Sequence, residues 1–198
     1  TMTTDYNGYR QEGFGPADMT VWKGRRWSTA NAYLRPAIKK GKVRLFTRTL
    51  ADQILFEGRR AVGVRVWRKG KYHDIIAQNA VILCAGAIAS PAILQRSGIG
   101  CCDTLQDLGI EAIADRKGVG KNLQDHLEIY FQIACRKPIT LYKHLNPVSK
   151  ALIAAQWLFF KSGLGASNHF ETLGFIRSNK NILYPDIQFH FLPLAIRY

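Results

Sequence analysis

Apolar and polar positions alternate through DQILFEGRRAVGVRVWRKGKYHDII, residues 52–76, and the alternation breaks at EGRR and RKGK. A period of two marks half-buried strands, and the breaks carry the glycines and charges of tight turns, so the stretch predicts an antiparallel meander. It leads into AVILC, residues 80–84, which is apolar without alternation. Such a run predicts a strand covered on both faces, as in a parallel sheet of an α/β domain. Before the meander, VRLFT at 43–47 predicts another strand. TANAYLRPA predicts a helix with Ser28 as N-cap and Pro36 helping to end it.

After AVILC the chain turns to small residues, Ala85, Gly86 and Ala87. At the carboxyl end of a buried strand these let a ligand or another backbone approach closely. Ser90 and Pro91 have the N-cap and first-turn preferences of a short helix, AILQR, which Gly98 or Gly100 closes. Its N-terminus would favour an anion. The character changes near residue 125. HLEIYFQIAC alternates, a helix is expected over 147–161, and HFETLGFIR and DIQFHFLP read as two strands. The expected organisation is an α/β unit over residues 1–124 followed by an α+β unit over 125–198.

Composition narrows the class. With 198 residues, 47% of them hydrophobic, the chain can bury a substantial core. No internal repeat or low-complexity tract is present. Four cysteines, Cys84, Cys101, Cys102 and Cys135, follow neither a zinc spacing nor a disulfide framework. The polar opening TMTTDYNGYRQEGFG lacks the order of a signal peptide. ALIAAQWLFF, flanked by Lys150 and Lys161, is about half a membrane span and reads as a core or interfacial helix.

The net charge of +14 is concentrated: residues 23–71 carry 15 Lys and Arg against Asp52 and Glu57, a net of +13. Such a segment suits nucleic acid, an anionic membrane or an anionic cofactor, or is a solvated basic face. Neither the interleaved aromatic motif of an RNA-binding sheet nor a zinc-finger pattern accompanies it, so nucleic acid is not expected. KGVGKN, residues 117–122, fails as a P-loop: Asp115 stands where a glycine is needed, and Asn122 replaces the Ser or Thr that holds Mg²⁺. His73 and His144 have no ligand-like spacing to other metal donors, and no metal is expected.

GAIASPAILQRSGIG resembles the second signature of the glucose-methanol-choline (GMC) flavin oxidoreductases, with Gly86, Ser90, Pro91, Ser97, Gly98 and Gly100 in place. DYNGYRQEGFG, ILFEGRRAVGV, GVGKNLQDHLEIY, GASNHFETLGFIRS and DIQFHFLP resemble stretches of the choline-oxidising members, in the same order. Lys117, Cys101 and Cys102 depart from the residues usual at their positions. The resemblance implies a Rossmann-like FAD-binding portion with an antiparallel meander, then the beginning of a substrate-binding domain. It also implies FAD as cofactor and hydride transfer from choline to flavin, giving betaine aldehyde, with an oxidase or a dehydrogenase for another alcohol as the alternative.

The resemblance places backbone contacts near Ala51 with the adenine, and near Ala85, Gly86 and Ser90 with the rest of the dinucleotide. Against the family pattern the chain reads as a middle fragment. The N-terminal GxGxxG is absent, and the catalytic base His is expected C-terminal to these residues. A membrane electron acceptor is implied as a further partner, with the location open between a bacterial cytoplasm or inner-membrane face and a mitochondrion.

Two residues stand out for substrate. Glu171 shares a strand face with Leu173 and Phe175, where a carboxylate needs a cation, and it falls where related choline oxidases bind the quaternary ammonium. Pairing with Arg177, or exposure to solvent, is the alternative. His190 shares a face with Gln188 and Leu192 and matches a cavity-lining His of the family. Its alternative is an ordinary satisfied strand histidine. Asn122, Asp125 and His126 are read as structural.

Overall fold

The computed structural model describes residues 2–195. They form two compact units, Thr1–Val43 with Tyr130–Tyr198, and Arg44–Ile129.

In the first unit, strand β1 (Gly13–Pro16) pairs antiparallel with β9 (Thr172–Ile176), which pairs with β10 (Ile187–Phe191). The two strands predicted from HFETLGFIR and DIQFHFLP are thus present. Glu12, just before β1, clamps Arg177, just after β9, at 2.8 Å. Tyr6 is buried; its ring lies 5.9 Å from that of Phe175 and its hydroxyl oxygen accepts from the Asp18 amide at 2.5 Å. A hairpin of β2 (Val21–Trp22) and β3 (Arg25–Arg26) turns through Lys23 and Gly24, both left-handed.

Helix α4 (Pro147–Phe160) occupies the expected span. The Asn146 side chain accepts from the Ser149 amide at 2.8 Å, an N-cap followed by proline in the first turn. Lys161 ends it in the left-handed region, and the Trp157 indole donates to the Gly24 carbonyl at 2.7 Å. A Cβ on Gly24 would run into the Lys161 carbonyl, so glycine is required there by space as well as by φ. None of the α4 side chains is buried, so it is not a core helix within this chain.

The helix predicted after Ser28 begins instead as a wide π turn, Ala30–Leu34, and continues as α1 (Arg35–Lys39). Pro36 sits in the first turn of α1 and does not end it. A proline there removes an amide and crowds the carbonyl four residues back, and the wider turn relieves that crowding.

In the second unit β4 (Leu50–Glu57), β5 (Arg60–Arg68) and β6 (Lys71–Ile76) form the predicted meander. Its core is made by Ile54 and Val66 from the sheet with Ile93 and Leu105 from the helices. Ile93 belongs to α2 (Gly86–Arg96) and Leu105 to α3 (Cys102–Asp107). Short parallel strands β7 (Ile99–Gly100) and β8 (Ala114–Asp115) pair beside them.

Two expected strands, at 43–47 and 80–84, are not formed, and the alternating stretch 126–135 makes none either. Ile82 is 85% exposed. A strand of the AVILC type is held by neighbours on both edges and cover on both faces. None of the described strands pairs with it. The helix α2 also starts five residues earlier than predicted, with Ala85 and not Ser90 at its N-cap, leaving Ser90 and Pro91 inside it. No helix among the described residues is long and apolar enough to cross a membrane.

Candidate functional site

In the second unit, the side of the site expected to meet a cofactor is built on β4 and α2. Ala51 faces Val66 across the ladder, and the register then slips so that Asp52 is an extra, bulged residue before Gln53. A bulge leaves a carbonyl outside the ladder, and here the Arg96 Nε–H reaches both the Asp52 carbonyl and its carboxylate at 3.1 Å. The Gln53 side chain donates through its Nε2–H to the Arg96 carbonyl at 2.9 Å. Ser97 completes the joint: its buried Oγ accepts from the Ile54 amide at 2.8 Å and donates to the Ile93 carbonyl at 2.6 Å. Three successive strand residues are therefore fastened to the C-terminal end of one helix.

At the other end of α2, Gly86 has φ +86°, and a Cβ there would meet nothing within 4 Å. The main chain is open on that side. The Ser90 hydroxyl accepts from the Ala85 amide at 3.0 Å, so Ser90 acts from inside the helix and not as its N-cap. The amides of the first turn have no intrahelical acceptor, and the positive end of the helix dipole adds to them. Ala51 and Gly86 thus lie near opposite ends of a helix about 15 Å long. Of the residues that tie them together, Ser97 is named in sequence only as part of the signature, and Asp52, Gln53 and Arg96 carry no sequence-based site role. A bulge follows from how two strands register, and no local pattern announces it.

In the first unit, His190 faces Leu173 across the β9–β10 ladder, and Gln188 faces Phe175. Directly opposed residues share a face, so His190 stands on the side that strand alternation gives Glu171. Glu171 lies just before β9; its amide donates to the Phe191 carbonyl and its carbonyl accepts from the Ala17 amide. Its side chain is exposed, and among the described residues it has no ion pair. Arg177, the alternative partner, is held by Glu12. The His190 ring meets the Phe170 ring edge-on at 5.9 Å. The other face carries Phe14 and Phe189, with ring centroids 5.8 Å apart, and an open recess of about 380 Å³ is lined by residues of both faces, Phe14, Thr172, Gly174, Phe189 and Phe191 with His190.

Electrostatic shifts are local. The Arg177 guanidinium holds the Glu12 carboxyl below the usual range, and the Ser178 hydroxyl does the same for Asp186 at 2.7 Å. The Thr104 amide and hydroxyl lower the Cys101 thiol, whereas burial pushes the Cys102 thiol up. Within the basic quarter, Arg44 and Arg68 each stack on Phe46 at 5.2 Å, and Arg65 pairs with Asp74 at 2.8 Å. Among the described residues no cluster of His, Cys, Asp and Glu has the makings of a metal site. His126 takes its place beside Asp125 through its own amide, which donates to the Asp125 carboxylate at 2.8 Å.

The profile of the GMC oxidoreductase family matches residues 1–128. The chain belongs to the GMC oxidoreductases. Over 197 residues it is 56% identical to the oxygen-dependent choline dehydrogenase of Brucella anthropi, all of this chain aligning with 36% of that protein. It is 54% identical to the protein of the same name from Pectobacterium carotovorum, over 99% of this chain and 35% of that one. A crystal structure of formate oxidase superposes with a TM-score of 0.74 at 23% identity, covering 88% of this chain and 30% of that one. That likeness shows a GMC fold. This GMC chain spans about a third of the length of the curated relatives it matches.

Proposed function

We propose that these residues are the central part of an FAD-dependent choline dehydrogenase, contributing walls of both the cofactor and the substrate site. The observation that carries this reading is the 56% identity, along the whole chain, to a relative named for oxygen-dependent oxidation of choline. Residues 1–124 belong, on this reading, to the FAD-binding domain and 125–198 begin the substrate-binding domain, with β1 crossing that division to pair with β9.

The residues present suit FAD. The open, left-handed main chain at Gly86 leaves the space that a Cβ would fill, and the first-turn amides of α2 supply donors for a diphosphate. Ser90 already occupies the Ala85 amide, so its part is to hold the turn in which Ala85 and Gly86 approach the dinucleotide. Ala51, fixed beside the bulge, offers main-chain groups to the adenine. When bound there, FAD would supply the acceptor for a hydride from the alcohol carbon.

The chain's own residues orient the alcohol. Choline carries a permanent cation without N–H donors, and the Glu171 carboxylate, without an ion pair among the described residues, supplies the compensating charge. His190, on the same face, holds the hydroxyl end, and the base that removes its proton lies outside these 198 residues. In the full-length protein, Glu171→Gln should raise the KM for choline by about 10- to 100-fold while FAD content stays constant. Steady-state kinetics beside flavin absorbance read both, and an unchanged KM overturns the role.

A further inference from the structure

β4 is an edge strand: β5 pairs with one side of it, and none of the described strands with the other. Near its start the ladder slips at Asp52, so only Leu50 and Ala51 lie beyond the bulge, opposite Trp67 and Val66. Residues past a break at the end of an edge strand fray unless something besides the ladder holds them. Here the last residue of α2 does. The Nε–H of Arg96 is shared between the Asp52 carbonyl and the Asp52 carboxylate, at 3.1 Å each, which fixes main chain and side chain of the bulged residue together. Gln53 returns the bond, its Nε2–H reaching the Arg96 carbonyl at 2.9 Å.

The Arg96 side chain is 42% exposed and that of Asp52 24%, and a pair so open to water adds little to global stability. Its effect is on geometry. We infer that Arg96, acting through Asp52, is a positioning residue for the adenine end of the cofactor: it holds Ala51 in register, while the far end of the same helix presents Gly86 to the diphosphate. One helix then sets the spacing of both contacts. The inference rests on the proposed contact of the Ala51 main chain with the adenine. Adenine offers a donor at its N6 amino group beside an acceptor at N1, and hypoxanthine reverses both. A main chain held in place rejects the reversed pattern, whereas a frayed one turns to suit either.

The test titrates full-length apoprotein with FAD and with flavin hypoxanthine dinucleotide, reading binding by flavin fluorescence. The wild-type protein should prefer FAD by about 10- to 100-fold. R96M should raise the Kd for FAD and bring that preference down to about threefold or less. R96K, which keeps a donor, and D52N, which keeps the carbonyl acceptor, should each retain part of it. I93A loosens the core without removing a bond to the bulge, so it should lower the Tm and leave the preference intact. If R96M keeps the wild-type preference, or if I93A loses it to the same degree, Arg96 is an ordinary structural residue and the inference alone falls. Should R96M fail to fold, D52N decides by the same ratio: an unchanged preference overturns the inference. A wild-type protein indifferent to the base would bring down the Ala51 contact, and the inference with it.

Discussion

The two sheets of this chain are held by different means. The β4–β5–β6 sheet is a meander of neighbours in sequence, with α2 packed on β4 and the bulge of β4 riveted to that helix. The β1–β9–β10 sheet joins segments from distant parts of the chain, and its buried apolar residues reduce to Tyr6 among those described. Phe14, Phe189 and Phe191 remain exposed. The contrast suits the division of labour proposed for the two units. A dinucleotide needs a main chain that does not move, and a locally closed, densely bonded sheet gives that. A substrate surface can be assembled from loops and strand ends whose side chains are set one by one.

The contrast can be broken most directly at Ile93. Ile93→Ala removes a side chain only 3% exposed and should cost about 2–5 kcal/mol. Hydrogen exchange should then show faster opening of β4, β5 and α2, with β9 and β10 unaffected. If both sheets open together, they form one cooperative unit and the comparison fails. Ser97→Ala is the next largest change. It leaves the Ile54 amide buried without its acceptor, at about 1–3 kcal/mol, and should loosen β4 against α2. Protection of the Ile54 amide itself is the sharpest reading, and retained protection would show that another acceptor replaces the hydroxyl.

The smallest effect belongs to the distant sheet and depends on pH. Glu12 is lowered by Arg177, so its contribution to stability is present above its ordinary range and disappears as pH falls through the lowered value. Exchange protection at β1 and at the β9 end near Arg177 should weaken on acidification and not on raising pH from neutral. Glu12→Gln should remove that acid dependence. Both groups are exposed, so the effect is modest and fades with salt.

What sequence revealed follows the same line. The meander was legible because its turns are written locally: Lys69 and Gly70, both left-handed, sit in the RKGK break, and Gly58 in the EGRR break. Helix α4 was legible because Asn146 and Pro147 mark its start within two residues. AVILC was misread for the opposite reason, since its apolar run reports on neighbours that these residues do not supply. Counting in twos groups Glu171 with Leu173 and Phe175 and, separately, His190 with Gln188; only the ladder, which sets His190 opposite Leu173 and Gln188 opposite Phe175, relates the two strands. The ring contact of Phe170 with His190 was not legible, because Phe170 lies before β9, where no ladder enforces the alternation. Arg96 and Asp52 were invisible, since only the register between β4 and β5 makes Asp52 a bulge.

Glu12 and Arg177, the clamp across β1 and β9, are 165 residues apart. At the ribosome's pace of about 5–20 residues per second, on the order of ten to thirty seconds pass between the emergence of one and the other. During that interval the meander has every strand it needs, whereas β1 has none of its partners. A newborn chain therefore spends its early life with one sheet closed and a bare strand edge beside Phe14, and that edge is where a chaperone has most to protect.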